Sequence, residues 1–179
     1  PRWISLDPEG TTPMLAAFRE ARKAIDAHID LYPESVAPVL LNVSDGEPTD
    51  CGDPVDWSLL KEEFDEIVSL GVDGNNPVVC NVHLGALANQ SPLLFPSRQP
   101  SVGGLESGLW NISSQIPEDI LKAVEEEYEM DHEEDRRFFI FNSDLIHFHR
   151  FLHFSTKNVT GTIGKTVIVD ADYEIIEEE

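Results

Sequence analysis

The sequence predicts an α/β fold with a mainly parallel sheet, on two observations. Val39 to Val43 and Pro77 to Val82 are short apolar runs without polar alternation, the pattern of strands covered on both faces. Segments with apolar residues at helical spacing lie ahead of the first run and between the two. Strand, helix, strand at these lengths is the sequence form of a parallel crossover unit.

In chain order, Met14, Leu15, Ala17, Phe18, Ala21, Ile25 and Ile29 form the apolar stripe of a first helix. Thr12 is placed to be its N-cap and Pro13 its first residue. The strand Val39 to Val43 then ends abruptly in Ser44-Asp45-Gly46. Asp53, Pro54 and Asp56 read as the start of a second helix, with Trp57, Leu60, Phe64, Ile67 and Val68 on its buried face and Gly71 at its end. After the strand Pro77 to Val82 comes a Gly-, Pro- and Ser-rich connection from Gly85 to Gly108, broken by Leu93-Leu94-Phe95. Pro117 opens a helix bearing Ile120, Leu121, Val124 and Tyr128, and Phe138 to Phe141 is a third strand. Ser143 is expected to cap a last helix carrying Leu145, Ile146, Phe148, Phe151, Leu152 and Phe154. Two β segments are expected around Gly164, in a β-rich acidic tail spanning 159–179.

A length of 179 residues and 41% hydrophobic content suit one globular domain. No apolar run approaches the roughly 18 to 20 residues that span a bilayer, and PRWISLDPEG lacks the features of a signal peptide. The chain opens on Pro1, so a native start upstream is expected. Twelve Lys and Arg against 34 Asp and Glu give a net charge of −22, which repels a phosphate backbone and makes nucleic acid an unsuitable partner. The acid is clustered in Asp45 to Asp56, Glu125 to Glu127, Asp131 to Asp135 and Glu177 to Glu179, and such clusters read first as solvated surface. Cys51 and Cys80 have neither metal spacing nor the makings of a disulfide framework, so a reducing, cytoplasmic setting is the expectation.

In an open parallel sheet, ligands bind beyond the carboxyl ends of the strands, where loops and helix N-termini converge. Asp45 follows the first strand, and Thr12 begins the helix that leads into it. A hydroxyl and a carboxylate are hard oxygen donors suited to Mg²⁺, which takes octahedral oxygen coordination. Each residue also has a local explanation, Thr12 as an N-cap and Asp45 within an Asp-Gly turn.

GTTPMLAAFREARKAI resembles the Gly-rich, Thr-Pro segment of von Willebrand factor A domains, and PVLLNVSDGEPTD resembles the strand and Asp-Gly turn that follow it. VVCNVHLGALAN, LWNISSQIPEDI and FFIFNSDLIHFHRFLHFST are similar to the downstream strand, helix, strand and helix of bacterial cytoplasmic members related to tellurite-resistance proteins. The resemblance covers residues 9 to 156, and residues 1–158 are assigned to the C-terminal two-thirds of such a domain. It implies a three-layer α-β-α, Rossmann-like architecture. It also implies that Thr12 and Asp45 are metal ligands at a MIDAS-like edge, with Gly10 and Gly46 close to the ion and Ser44 and Glu47 at the rim. The implied cofactor is Mg²⁺ or Mn²⁺, its coordination completed by an acidic side chain of another protein. The family's first strand ends in Asp-x-Ser-x-Ser, and no such motif occurs in this chain. The expectation is a sheet lacking its first strands, with an open edge beside Val39 to Val43 for an upstream segment, a second copy or the TVIVDADYEII segment to cover.

Other constellations carry less. His149 and His153 share a helix face, with His147 nearby, but no HExxH pattern accompanies them, and surface or half-buried histidines are expected rather than zinc ligands. His83, just past the second strand, reads as a packed or solvent-facing residue near the rim. Asp170-Ala171-Asp172 resembles the nucleophile strand of haloacid-dehalogenase-type phosphatases, yet only seven residues follow it. No nucleophile elbow, P-loop or dinucleotide fingerprint is present. A metal-dependent, non-enzymatic protein-interaction module is therefore the leading expectation. A hydrolase or nucleotide-binding enzyme of flavodoxin-like architecture is the alternative.

Overall fold

A computed structural model describes residues 11–71, 76–85, 91–100 and 104–154. The β segments expected within 159–179, with Asp170-Ala171-Asp172 and the boundary drawn at 158, lie outside the described residues. The elements are α1 (Met14–Leu31), β1 (Val39–Ser44), α2 (Trp57–Ser69), β2 (Val78–Leu84), β3 (Leu93–Leu94), α3 (Gly104–Asn111), α4 (Glu118–Tyr128), β4 (Phe139–Ser143) and α5 (Leu145–Phe154). They build a four-stranded sheet in the order β1-β2-β4-β3. β1, β2 and β4 run parallel and β3 antiparallel to β4, so the fold is α/β with a mainly parallel sheet.

Two elements lie inside what reads as a continuous connection. β3 is two residues long, too short for any period to register, and α3 carries Gly104 and Gly108, which weaken its helical signal. Gly108 is required by packing: a Cβ there would lie 2.1 Å from Cδ2 of Trp57, which opens α2. The glycine that lowers the propensity of α3 is what lets α2 and α3 close on each other.

Alternate strand residues feed two separate apolar clusters, as the two-residue period of a strand demands. Val79 and Phe139 join Leu15, Phe18, Leu60, Ile67 and Leu109, side chains of α1, α2 and α3. Cys80, Val82 and Ile140 join Leu121, Val124, Phe151 and Phe154, side chains of α4 and α5. The start of the last helix differs from its sequence reading. Leu145 and Ile146 are exposed, and burial falls on Phe151 and Phe154.

Ser143 closes β4 and does not cap α5. The cap is Asp144, whose Oδ1 accepts from the His147 N–H at 2.8 Å. Of the Asp53, Pro54 and Asp56 read as the start of α2, only Asp56 serves it, as the cap that accepts from the Ser58 N–H at 3.0 Å, and the helix begins at Trp57.

Two glutamates from acidic stretches are interior. Glu63 is buried between helices, its two oxygens taken by Arg19 at 2.9 Å and Arg22 at 3.0 Å, so one carboxylate ties α1 to α2. Glu125, from a run that reads as solvated surface, is buried as well. It accepts from the Glu133 N–H and from His132 Nδ1, both at 3.0 Å, and faces Arg136 at 3.5 Å. Burial opposes ionisation of Glu125, but the bonds from Glu133 and His132 and the Arg136 charge overcome it and hold the carboxyl below its ordinary value. Arg136 in turn donates to the carbonyls of Phe95 and Asp131, pinning the loop between α4 and β4 against the end of β3.

At the centre of the sheet, Asn81 of β2 replaces an apolar residue with an amide that is 1% exposed. Its Oδ1 accepts from Asn42 of β1 at 2.8 Å, and its Nδ2 donates to the Ile112 carbonyl and Ser113 Oγ, both at 2.9 Å. Replacing it with leucine would remove all three of these bonds from a buried site. Asn81→Leu is therefore expected to lower urea-unfolding stability by about 3 kcal/mol, and Asn42→Ala, at the half-buried edge, by about 1 kcal/mol. Equal, small losses in both would contradict this ranking.

Candidate strand-end rim

The carboxyl ends of β1, β2 and β4 meet the start of α1 at one rim. β1 and β2 run in register to Ser44 opposite His83, and Asp45 comes next. Ser44 folds the turn back on itself, its Oγ donating to the Gly46 carbonyl at 2.8 Å and accepting from the Gly46 N–H at 3.2 Å. The loop then seats the residues ahead of α1. The Thr12 N–H donates to Thr49 Oγ1 at 3.0 Å, and the Thr49 N–H donates to the Thr12 carbonyl at 2.9 Å. Thr12 Oγ1 lies 3.5 Å from where a Cβ on Gly46 would stand. The two metal-site candidates of the sequence, Thr12 and Asp45, are thus carried by segments that pack together, with Asp45 exposed and Thr12 half-buried.

Thr12 is not the N-cap of α1. The helix begins at Met14, the cap position falls to Pro13, and no side chain there makes a cap bond. Asp50 caps the helix from across the loop, its carboxylate accepting from the Leu15 N–H at 3.1 Å and the Ala16 N–H at 2.8 Å. A negative charge on two unpaired N–H groups at the positive end of a helix satisfies both donors and the dipole. The Thr12 hydroxyl is released from the role the sequence gave it. No local signal could have pointed to Asp50, which lies more than thirty residues from the helix it caps.

His83 is buried on the same rim and stacks on Phe141 of β4, ring centroids 4.4 Å apart. Burial lowers its pKa below the ordinary value, while the Asp45 carbonyl and carboxylate pull it back up. Among the described residues its Nδ1 has no hydrogen-bond partner. At the other side of the rim β4 ends irregularly. Asn142 adopts φ 56°, which asparagine tolerates, and Gly85 passes so close that a Cβ would fall 2.1 Å from Asn142 Oδ1.

His147 is held by Asp144 at 2.7 Å, and His149 and His153 stack with ring centroids 6.5 Å apart. Among the described residues no three His, Cys, Asp or Glu side chains are grouped to hold a metal ion. Both cysteines are buried free thiols, Cys80 pushed by burial up to about 12 and Cys51 by burial and Asp50 up to about 11, so neither is a thiolate at neutral pH. No helix among the described residues is long and apolar enough to cross a membrane.

The cap assignment predicts that Asp50→Ala costs about 1 to 2 kcal/mol in chemical unfolding, with most of it restored in Asp50→Asn, whereas Thr12→Val costs far less. For His83, the unfolded chain takes up the proton first as pH falls. Its stabilising contribution is therefore complete above about pH 6.5 and is lost as pH falls through the lower folded value. A titration of the His83 ring by NMR should give a midpoint below 6.5, the ordinary value, and Asp45→Asn should lower it further. A midpoint at or above 6.5, or one unmoved by that substitution, would contradict the assigned surroundings.

No family model, curated protein or solved structure matches the chain.

Proposed function

We propose that this chain is a partner-binding module of the von Willebrand factor A type, in which Thr12 and Asp45 supply two oxygens to a Mg²⁺ or Mn²⁺ ion that bridges to an acidic side chain of another protein. The observation that carries the reading is the seating of the Thr12 segment on the loop that follows Asp45, with the Thr12 hydroxyl against Gly46 and Asp50 doing the capping. The three-layer α-β-α form is supported by the two apolar clusters on opposite faces of the parallel strands.

The donor set fits the ion in kind and only partly in number. Both groups are hard oxygens at an accessible edge, as Mg²⁺ prefers, and they account for two positions of an octahedron. Water, the partner's carboxylate and oxygens from outside the described residues would have to supply the rest. Charge explains why the partner contact needs the ion. A carboxylate approaching a chain of net charge −22 is repelled, and a divalent cation at the point of contact turns that repulsion into attraction.

Titration of isotopically labelled protein with Mn²⁺ at about 150 mM salt, which screens the general acidic surface, tests the reading. Paramagnetic broadening is expected to fall first on the amides of Thr12 and Ser44 to Glu47, with an apparent Kd of about 1 mM. Asp45→Asn should abolish that selectivity. Broadening spread evenly over the acidic helix faces, and unchanged in Asp45→Asn, would overturn it.

A further inference from the structure

Four of the six histidines are drawn to other groups, His28 to Ser35, His83 to Phe141, His132 to Glu125 and His147 to Asp144. The other two, His149 and His153, meet each other on α5, their rings nearly parallel at 12° with centroids 6.5 Å apart. Packing decides which way they face. Phe151 and Phe154 are buried in the cluster that holds Phe95 and Tyr128. A helix turns about 100° per residue, which puts His149 and His153 about 40° apart on the side away from that cluster. Both are exposed.

The surroundings of the pair are soft. α5 reads LIHFHRFLHF and carries no carboxylate, in a chain with 34 Asp and Glu. By the same rotation Leu145, Ile146 and Leu152 share the arc of the two imidazoles, and Leu145 and Ile146 are 75% and 77% exposed. A hard cation such as Mg²⁺, which takes oxygen, finds no ligand among these side chains.

We propose that His149 and His153 form a two-imidazole chelate for a divalent transition-metal ion of the kind that prefers imidazole, Zn²⁺, Ni²⁺ or Cu²⁺. Side chains at i and i+4 are neighbours along a helix, so a nitrogen of each ring reaches one ion without movement of the backbone. With Zn–N bonds of about 2.1 Å at a tetrahedral angle, two ring centroids stand about 5 Å apart. The rings close the remaining difference of about 1 Å by side-chain rotation, which exposed residues make freely.

The rest of the helix holds the pair in place. Asp144 caps its first turn, and Phe151 and Phe154 anchor its inner face. The net charge of −22 raises the concentration of any cation near the surface. Two imidazoles fill half of a tetrahedral shell and water completes it. The residue after His149 is Arg150 and not the glutamate of a zinc hydrolase helix, so the site binds the ion without a general base beside it. It shares no residue with the Thr12 and Asp45 edge and takes a different class of ion, so either reading can fail without the other.

Zn²⁺ titration of the full chain, free of any affinity tag, tests the proposal when followed through imidazole nitrogen resonances at about 150 mM salt. The rings of His149 and His153 are expected to shift together, half-saturated at a Zn²⁺ concentration on the order of 10 μM, while those of His28, His132 and His147 hold still. A hundredfold excess of Mg²⁺ should not compete. His149→Ala and His153→Ala should each weaken binding about 100-fold, because one ring alone has no chelate partner, with little change in the unfolding midpoint at these exposed positions. His147→Gln should leave the affinity as it is. Shifts spread evenly over all six rings, an affinity that falls less than about 10-fold in either alanine variant, or an equal loss in His147→Gln would sink the proposal.

Discussion

The buried amide of Asn81 is the constraint to which the rest of the sheet answers. Its main chain pairs β2 with the start of β4 through the Phe138 carbonyl, and its side chain reaches Asn42 on β1 and the end of α3. Its side-chain bonds require both β1 and the segment after α3 to be in register, so a one-residue slip of either would leave a buried polar group bare. Beside it the segment after α3 is stitched to both strands. Ser114 exchanges bonds with Val79, and its carbonyl accepts from the Phe138 N–H. Apolar packing alone would tolerate several registers here; the amide network selects one.

The excess of acid is sorted by position rather than left on the surface as a uniform coat. Asp50, Asp56 and Asp144 sit where unpaired helix N–H groups need an acceptor. Glu63 and Glu125 are interior and draw on the scarce arginines, which clamp α1 to α2 and the α4–β4 loop to β3. With twelve basic residues in the chain, the arginines used in this way cannot offset surface carboxylates. The solvent-facing acid is left in excess, so the surface repels other acidic groups.

Those caps also shape the rim. Because Asp50 takes the donors at the start of α1, the hydroxyl of Thr12 has no helix N–H to serve and can stand toward Gly46 and the turn beyond Asp45. Burial disfavours the charged form of His83 beside them, against the pull of Asp45.

The sequence by itself determined the parallel α/β class, β1, β2, β4 and the helices α1, α2, α4 and α5. Each of these carries a local period or punctuation mark of its own, such as the unalternated apolar run of Val39 to Val43 or the Pro117 that opens α4. It also placed Thr12 and Asp45 at the same end of the sheet, because strand direction and helix order fix which ends meet. Tertiary structure alone decided that Asp50 and not Thr12 caps α1, that Glu63 and Glu125 are buried, and that Leu145 and Ile146 face solvent while Phe151 and Phe154 do not. It likewise decided that Gly104 to Asn111 coils into a helix against Trp57. In every one of these cases the deciding partner is distant in sequence or lies on another element, and no local pattern encodes a contact made only when the chain closes on itself.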